Sequence, residues 1–147
     1  MELISPGAFP IDGRRECGPG TEEVQMQHHQ MSQEMRECVD HCLRCHAICL
    51  ETITHCLAMG GEHASPQHIV LLQDCAQICA ASADFMLRGS EFHADTCGVC
   101  AAVCERCADE CERMGSRDEL MKRCAEICRE CAESCRRMSR MSTTVSA

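Results

Sequence analysis

The chemistry this chain can perform rests on cysteine. Seventeen of its 147 residues are thiols, and sixteen recur at regular spacings along four segments. They are Cys38, Cys42, Cys45, Cys49 and Cys56, then Cys75 and Cys79. Cys97, Cys100, Cys104, Cys107 and Cys111 follow, and then Cys124, Cys128, Cys131 and Cys135. A spacing that alternates three and four puts side chains on one stripe of a helix, the seam that faces a bundle core. A thiol there acts as apolar filler, as a redox centre or as a soft metal ligand. Extending the seam adds Met31, Met35, Thr52 and Met59; His68, Leu72, Ser82 and Met86; His93 and Met114; Met121 and Met138. Ile48, Ile53, Val99, Val103 and Ile127 flank the stripe and are expected to pack helix on helix.

The elements that carry this stripe are punctuated in the sequence. Residues 1–20 hold three of the four prolines without periodicity, and are expected to form a flexible tail containing the isolated Cys17. Gly60-Gly61, Gly89 and Gly115 each close a periodic segment, as glycine does after a helix. Ser65-Pro66 reads as an N-cap followed by proline at the first helical position. Ser116 with Glu119 reads as a capping box. Four helices are therefore expected over about 32–59, 66–88, 91–114 and 117–140. Their joining loops are short, so neighbours run antiparallel. The expected fold is all-α, an up-down-up-down four-helix bundle over 21–140. Residues 21–31 either extend the first helix or form a short separate one, and 141–147 form a flexible C-terminus.

Composition narrows the function classes. The net charge is −9 and Trp and Tyr are absent, which opposes nucleic-acid binding. Leu, Ile, Val and Phe number only 24, a fraction that with such charge signals disorder unless another residue supplies the core. Buried thiols supply it. A secreted disulfide scaffold is opposed by the odd cysteine count, the length of the chain and the polar run after Arg14-Arg15. No run of 18 apolar residues occurs, so no membrane span is expected, and the reducing cytosol is the expected compartment.

Packing alone would select Leu or Ile, which bury more apolar area than Cys. Disulfides along one helix are opposed because positions i and i+4 have Cβ atoms about 5–6 Å apart, against about 3.8 Å in a disulfide. Soft ligands leave Cu(I), Zn(II) and iron–sulfur clusters. Cys-x3-Cys pairs such as Cys38/Cys42 or Cys131/Cys135 offer two sulfurs to one near-linear ion, which suits Cu(I), whereas zinc wants a tetrahedron. One Cu(I) per thiolate also leaves a buried core neutral, while isolated zinc tetrathiolates leave it charged. Iron–sulfur clusters draw on loop motifs, thioredoxin-like Cys-x-x-Cys needs a βαβ setting, and di-iron bundles need Glu-x-x-His, which does not occur. A zinc-buffering, metallothionein-like protein and a helical thiol–disulfide redox protein stand as the alternatives to a non-enzymatic Cu(I) store.

The Cys-x3-Cys-x2-Cys-x3-Cys run at 38–49, its counterpart at 124–135 and the Cys97–Cys111 ladder resemble the bacterial copper storage proteins, and without a visible leader the chain is similar to their cytosolic branch. The resemblance covers about residues 32–140. It implies a four-helix bundle, generally a homotetramer, whose core takes up many Cu(I) ions, with a copper chaperone as the expected donor. The second helix departs from the pattern, having only two cysteines. Antiparallel topology gathers Met31, Met35, Met86, His93 and Met138 at one end, with Phe85 and Phe92 nearby. The other end gathers His55, Met59, His63, His68, Met114 and Met121. Three histidines favour this second end as the mouth through which copper passes, and His28, His29, His41 and His46 are expected on the surface.

Overall fold

The computed structural model describes residues 31–141. The tail, Cys17 and the helix expected before Met31 lie outside the described residues. The elements are α1 (Gln33–Met59), a 3-10 turn (Gly61–Ala64), α2 (Pro66–Leu87), α3 (His93–Met114) and α4 (Glu119–Ser139), with no strand among the described residues. Each helix packs on its neighbours in sequence, and α4 closes the ring against α1. Cys38, near the start of α1, meets Cys135, near the end of α4, at 3.6 Å between sulfurs. That pairing places α1 and α4 antiparallel.

The boundaries follow local signals. Ser32 Oγ accepts from the Met35 amide at 3.2 Å and caps α1. Gly60, Gly61 and Gly89 have φ of 72°, 57° and 64°, a region that favours glycine after a helix. Pro66 opens α2 behind Ser65, whose side chain makes no cap hydrogen bond. The capping box expected at Ser116 does not form, because α4 starts at Glu119 and Ser116 lies too far upstream. Asp118 caps instead, its Oδ1 accepting from the Leu120 and Met121 amides at 3.0 and 3.1 Å. Its Oδ2 accepts from His55 Nε2 at 2.6 Å. That hydrogen bond and the two amides hold the Asp118 carboxyl below the usual carboxylate range.

Helix–helix packing differs from the expected pattern at one point. Val99, expected to flank the stripe, is 55% exposed. Its role falls to alanines that directly follow cysteines: Ala76, Ala101, Ala108, Ala125 and Ala132 are all buried. A methyl group lets neighbouring backbones approach closely, which brings thiols from different helices within reach of one another. Outside, Arg129 bridges to Asp109 and Glu112, and Arg136 to Glu105, tying α4 to α3. Such exposed pairs contribute at most about 1 kcal/mol each.

α2 is long and apolar enough to cross a membrane by length and composition, with a mean hydropathy of 1.3 over 18 residues. The sequence carried no such expectation, because its apolar residues are interrupted. In the bundle α2 turns His68, Leu72, Cys75, Cys79 and Met86 inward. Its outer side keeps Val70 and Leu87 more than half exposed. With α3 it lines a shallow groove containing Ile78, Val99 and Val103.

Candidate metal centre

All sixteen seam cysteines are fully buried and present as thiols. They converge because the four stripes face one axis. Their shortest contacts run between helices: Cys42 to Cys135 and Cys79 to Cys104 at 3.4 Å, Cys45 to Cys128 and Cys75 to Cys104 at 3.6 Å. Within a helix, Cys100 and Cys104 lie 3.8 Å apart. The Cys-x3-Cys pairs singled out in the sequence are thus only part of the arrangement. Helical geometry spreads i and i+4, while alanine-lined helix contacts bring opposite stripes together.

Five groups of sulfurs have all members within 4.8 Å of one another. Along the axis these are Cys38/Cys97/Cys135, then Cys42/Cys100/Cys131/Cys135, then Cys45/Cys79/Cys104/Cys131. Cys45/Cys49/Cys75/Cys128 and Cys49/Cys107/Cys124/Cys128 complete the column. Each group shares at least one sulfur with the next. Hydrogen bonding among neighbouring thiols, with burial a lesser cause, holds Cys79 and Cys104 far above the ordinary thiol range and holds Cys45 and Cys100 far below it. No Arg or Lys is buried beside the column among the described residues. A column of many thiolates is therefore neutral only when cations join it.

The buried seam also holds the expected Thr52, His68, Leu72, Ser82, Met86, His93, Met121 and Met138. Met59 points outward instead, 57% exposed at the last position of α1. At its end of the bundle the grouped residues separate. His55 is bound to Asp118, and Met114 packs on the edge of the core. His63, His68 and Met121 surround Cys56, with His68 Nε2 at 3.4 Å, Met121 Sδ at 3.5 Å and His63 Nδ1 at 3.9 Å from its sulfur. Burial pushes the Cys56 thiol up to about 11, with a smaller contribution from Asp118.

The opposite end opens into a cavity of about 250 Å³ lined by Met31, Met35, Met86 and His93. Met86 Sδ lies 3.8 Å from Cys97 Sγ, which belongs to the first sulfur group. The sequence places these residues together but gives no sign of the void, which depends on how side-chain volumes fill the bundle end. His41 and His46, expected on the surface, are half-buried. His46 Nδ1 donates to the Ala76 carbonyl at 2.8 Å and links α1 to α2.

Comparison with known proteins gives this arrangement a lineage. The copper storage protein family matches residues 31–140. A solved protein of Nitrosospira multiformis is 42% identical with a TM-score of 0.68, over 73% of this chain and 95% of that one. The Cu(I)-bound copper storage protein BsCsp3, of Bacillus subtilis, is 34% identical with a TM-score of 0.68, over 73% and 99%. A cytosolic copper storage protein from Streptomyces lividans, solved with five coppers, is 30% identical with a TM-score of 0.63, over 72% and 92%. The chain belongs to the copper storage protein family.

Proposed function

We propose that this chain is a cytosolic store for many Cu(I) ions, held by the sixteen core cysteines as thiolates. The observation that carries this reading is the sharing of sulfurs between consecutive groups. A thiolate that bridges two Cu(I) ions lets the charges of a filled column cancel, ion for thiolate. Separate zinc tetrathiolates would each leave two negative charges in a core that lacks buried Arg or Lys. Cu(I) binding displaces thiol protons, so uptake releases acid and weakens as pH falls.

Anaerobic titration with Cu(I) against a chromophoric competitor tests the assignment. More than about ten ions per chain are expected on the neutral-core argument. Saturation at four or fewer ions, with zinc bound in preference, would overturn it. Reversible two-electron cycling of the metal-free chain would point to thiol–disulfide chemistry instead.

Two features of use follow from the same column. Copper passes in through the cavity at the methionine end, not through the histidine end that the sequence favours. What supports this is continuity: thioethers and His93 line the opening, and Met86 touches Cys97 at the head of the column. Met and His exchange a soft ion readily before it reaches thiolates. The chain also self-associates, as the family resemblance implies for a tetramer. The apolar part of the groove between α2 and α3, where Ile78 and Val103 lie beside the exposed Val99, supports this as a surface for a second copy to cover. Sedimentation is expected at a multiple of the chain mass, and a strictly monomeric species at micromolar concentration would contradict it.

A further inference from the structure

At the methionine end the sulfur column begins with three thiols, not four. Cys38 of α1, Cys97 of α3 and Cys135 of α4 have sulfurs all within 4.8 Å of one another, with Cys38 and Cys135 at 3.6 Å. The other four groups each hold four cysteines. The difference comes from α2. Past Cys79 its buried residues are Ser82, Ala83 and Met86, so that helix offers no thiol here. The Ser82 hydroxyl donates to the Thr96 carbonyl at 3.2 Å, and the Met86 thioether, 3.8 Å from Cys97, has no proton to give up.

Charge and size decide what suits such a triad. All three thiols are fully buried, and no Arg or Lys is buried beside them among the described residues. An occupant that leaves net charge in this core is disfavoured. Bound to three thiolates, Zn(II) leaves one negative charge and a lone Cu(I) leaves two. A trivalent atom leaves none. Sulfurs bonded to one atom at about 2.3 Å, the length of a zinc–thiolate bond, stand about 3.3–4.0 Å apart for bond angles between a right angle and a flat trigon. Cys38 and Cys135 already stand so, and a small side-chain rotation brings Cys97 to the same spacing. A trivalent arsenic atom also keeps a lone pair on the open side of its pyramid of bonds. A fourth sulfur packed against that side crowds it, and the triad is the one group of the five without a fourth thiol.

The triad is also placed for entry. Met86, which touches Cys97, lines the cavity of about 250 Å³ together with Met35 and His93. At about 30 Å³ for each water, that space admits a molecule several waters in size. We propose that Cys38, Cys97 and Cys135 form a capture site for trivalent arsenic or antimony, taken up as the uncharged trihydroxide. Three arsenic–oxygen bonds break and three arsenic–sulfur bonds form. Each thiol hydrogen leaves with one hydroxyl group as water. Arsenic stays trivalent, no electron is transferred, and the buried product is neutral.

This binding does not depend on the copper reading, whose own titration succeeds or fails separately. The full chain, reduced and free of metal, is given one equivalent of sodium arsenite without oxygen. Native mass spectrometry should show a chain that has gained one arsenic and lost three hydrogens. X-ray absorption at the arsenic edge should show three sulfur neighbours and no oxygen. Anomalous scattering from crystals of the wild-type complex should place the atom among Cys38, Cys97 and Cys135, a reading that needs no variant. Cys97→Ala should weaken binding at least about tenfold, a change of about 1.4 kcal/mol. Cys111→Ala, a loss of the same size at the far end of the core, should leave the first equivalent unchanged, with circular dichroism showing both variants helical. Oxygen retained on the bound arsenic, an atom lodged in one of the four-thiol groups, or equal binding by a folded Cys97→Ala would each overturn the assignment.

Discussion

Replacing Met35 and Met86 together by leucine is expected to slow Cu(I) loading on the order of tenfold while leaving the final capacity unchanged, the scale on which supporting ligand contacts tune metal sites. Both side chains line the cavity at the head of the column, and Met86 lies against Cys97. Leucine keeps the volume, and such swaps cost less than about 1.5 kcal/mol each, so the bundle should still fold. What is lost is the thioether that receives a soft ion before it reaches a thiolate. Stopped-flow transfer from a coloured Cu(I) complex reads the early rate, and titration reads the capacity. Cys45→Ser with Cys128→Ser provides the contrasting control. Each of these residues belongs to two sulfur groups, so capacity should fall while the early rate holds. If the methionine variant loads normally and His68→Ala loads slowly, the port lies at the histidine end.

Gly115→Ala is expected to destabilise the apo-protein more than any comparable single-methyl change at a loop. A Cβ at this position would collide with Met121 Cβ and approach the Cys111 carbonyl oxygen at 2.8 Å. The φ of −110° is open to any residue, so the penalty is steric and not conformational. Overpacking of this kind costs about 1–3 kcal/mol, which corresponds to a melting point lower by roughly 4 °C or more. Thermal circular dichroism of the apo-chain measures it. An unchanged melting curve would mean that the start of α4 and Met121 shift freely. Because Met121 also abuts Cys56, the substitution should disturb that pocket as well.

Much of this architecture is written locally. Alternation of three and four placed all sixteen cysteines inward, and glycine and proline fixed α1 and α2 to within a residue. Helix periodicity and turn chemistry act over a few residues, so a sequence displays them directly. Which thiols meet is not local. The contact of Cys42 with Cys135 depends on the vertical register of α1 against α4, and intrahelical spacing says nothing about it. Alanine's part was hidden for the same reason, since Ala125 matters only through the backbone that comes close to it. Asp118 displaced Ser116 as the cap because a cross-helix partner, His55, reinforces the later start. The void at the methionine end arises from the sum of several side-chain volumes, and no single residue announces it.

The sharing of sulfurs has a consequence for how copper is distributed. On the proposed storage reading, an ion settling in one group would deprotonate and orient a ligand of the next: Cys135, then Cys131, then Cys45, then the pair Cys49 and Cys128. The column is thus a one-dimensional lattice with coupling between nearest neighbours, as in a stack of structural repeats. Lengthening an occupied run is easier than starting a new one. A partly supplied protein therefore carries copper as a continuous block, and ions are surrendered from the ends of that block inward.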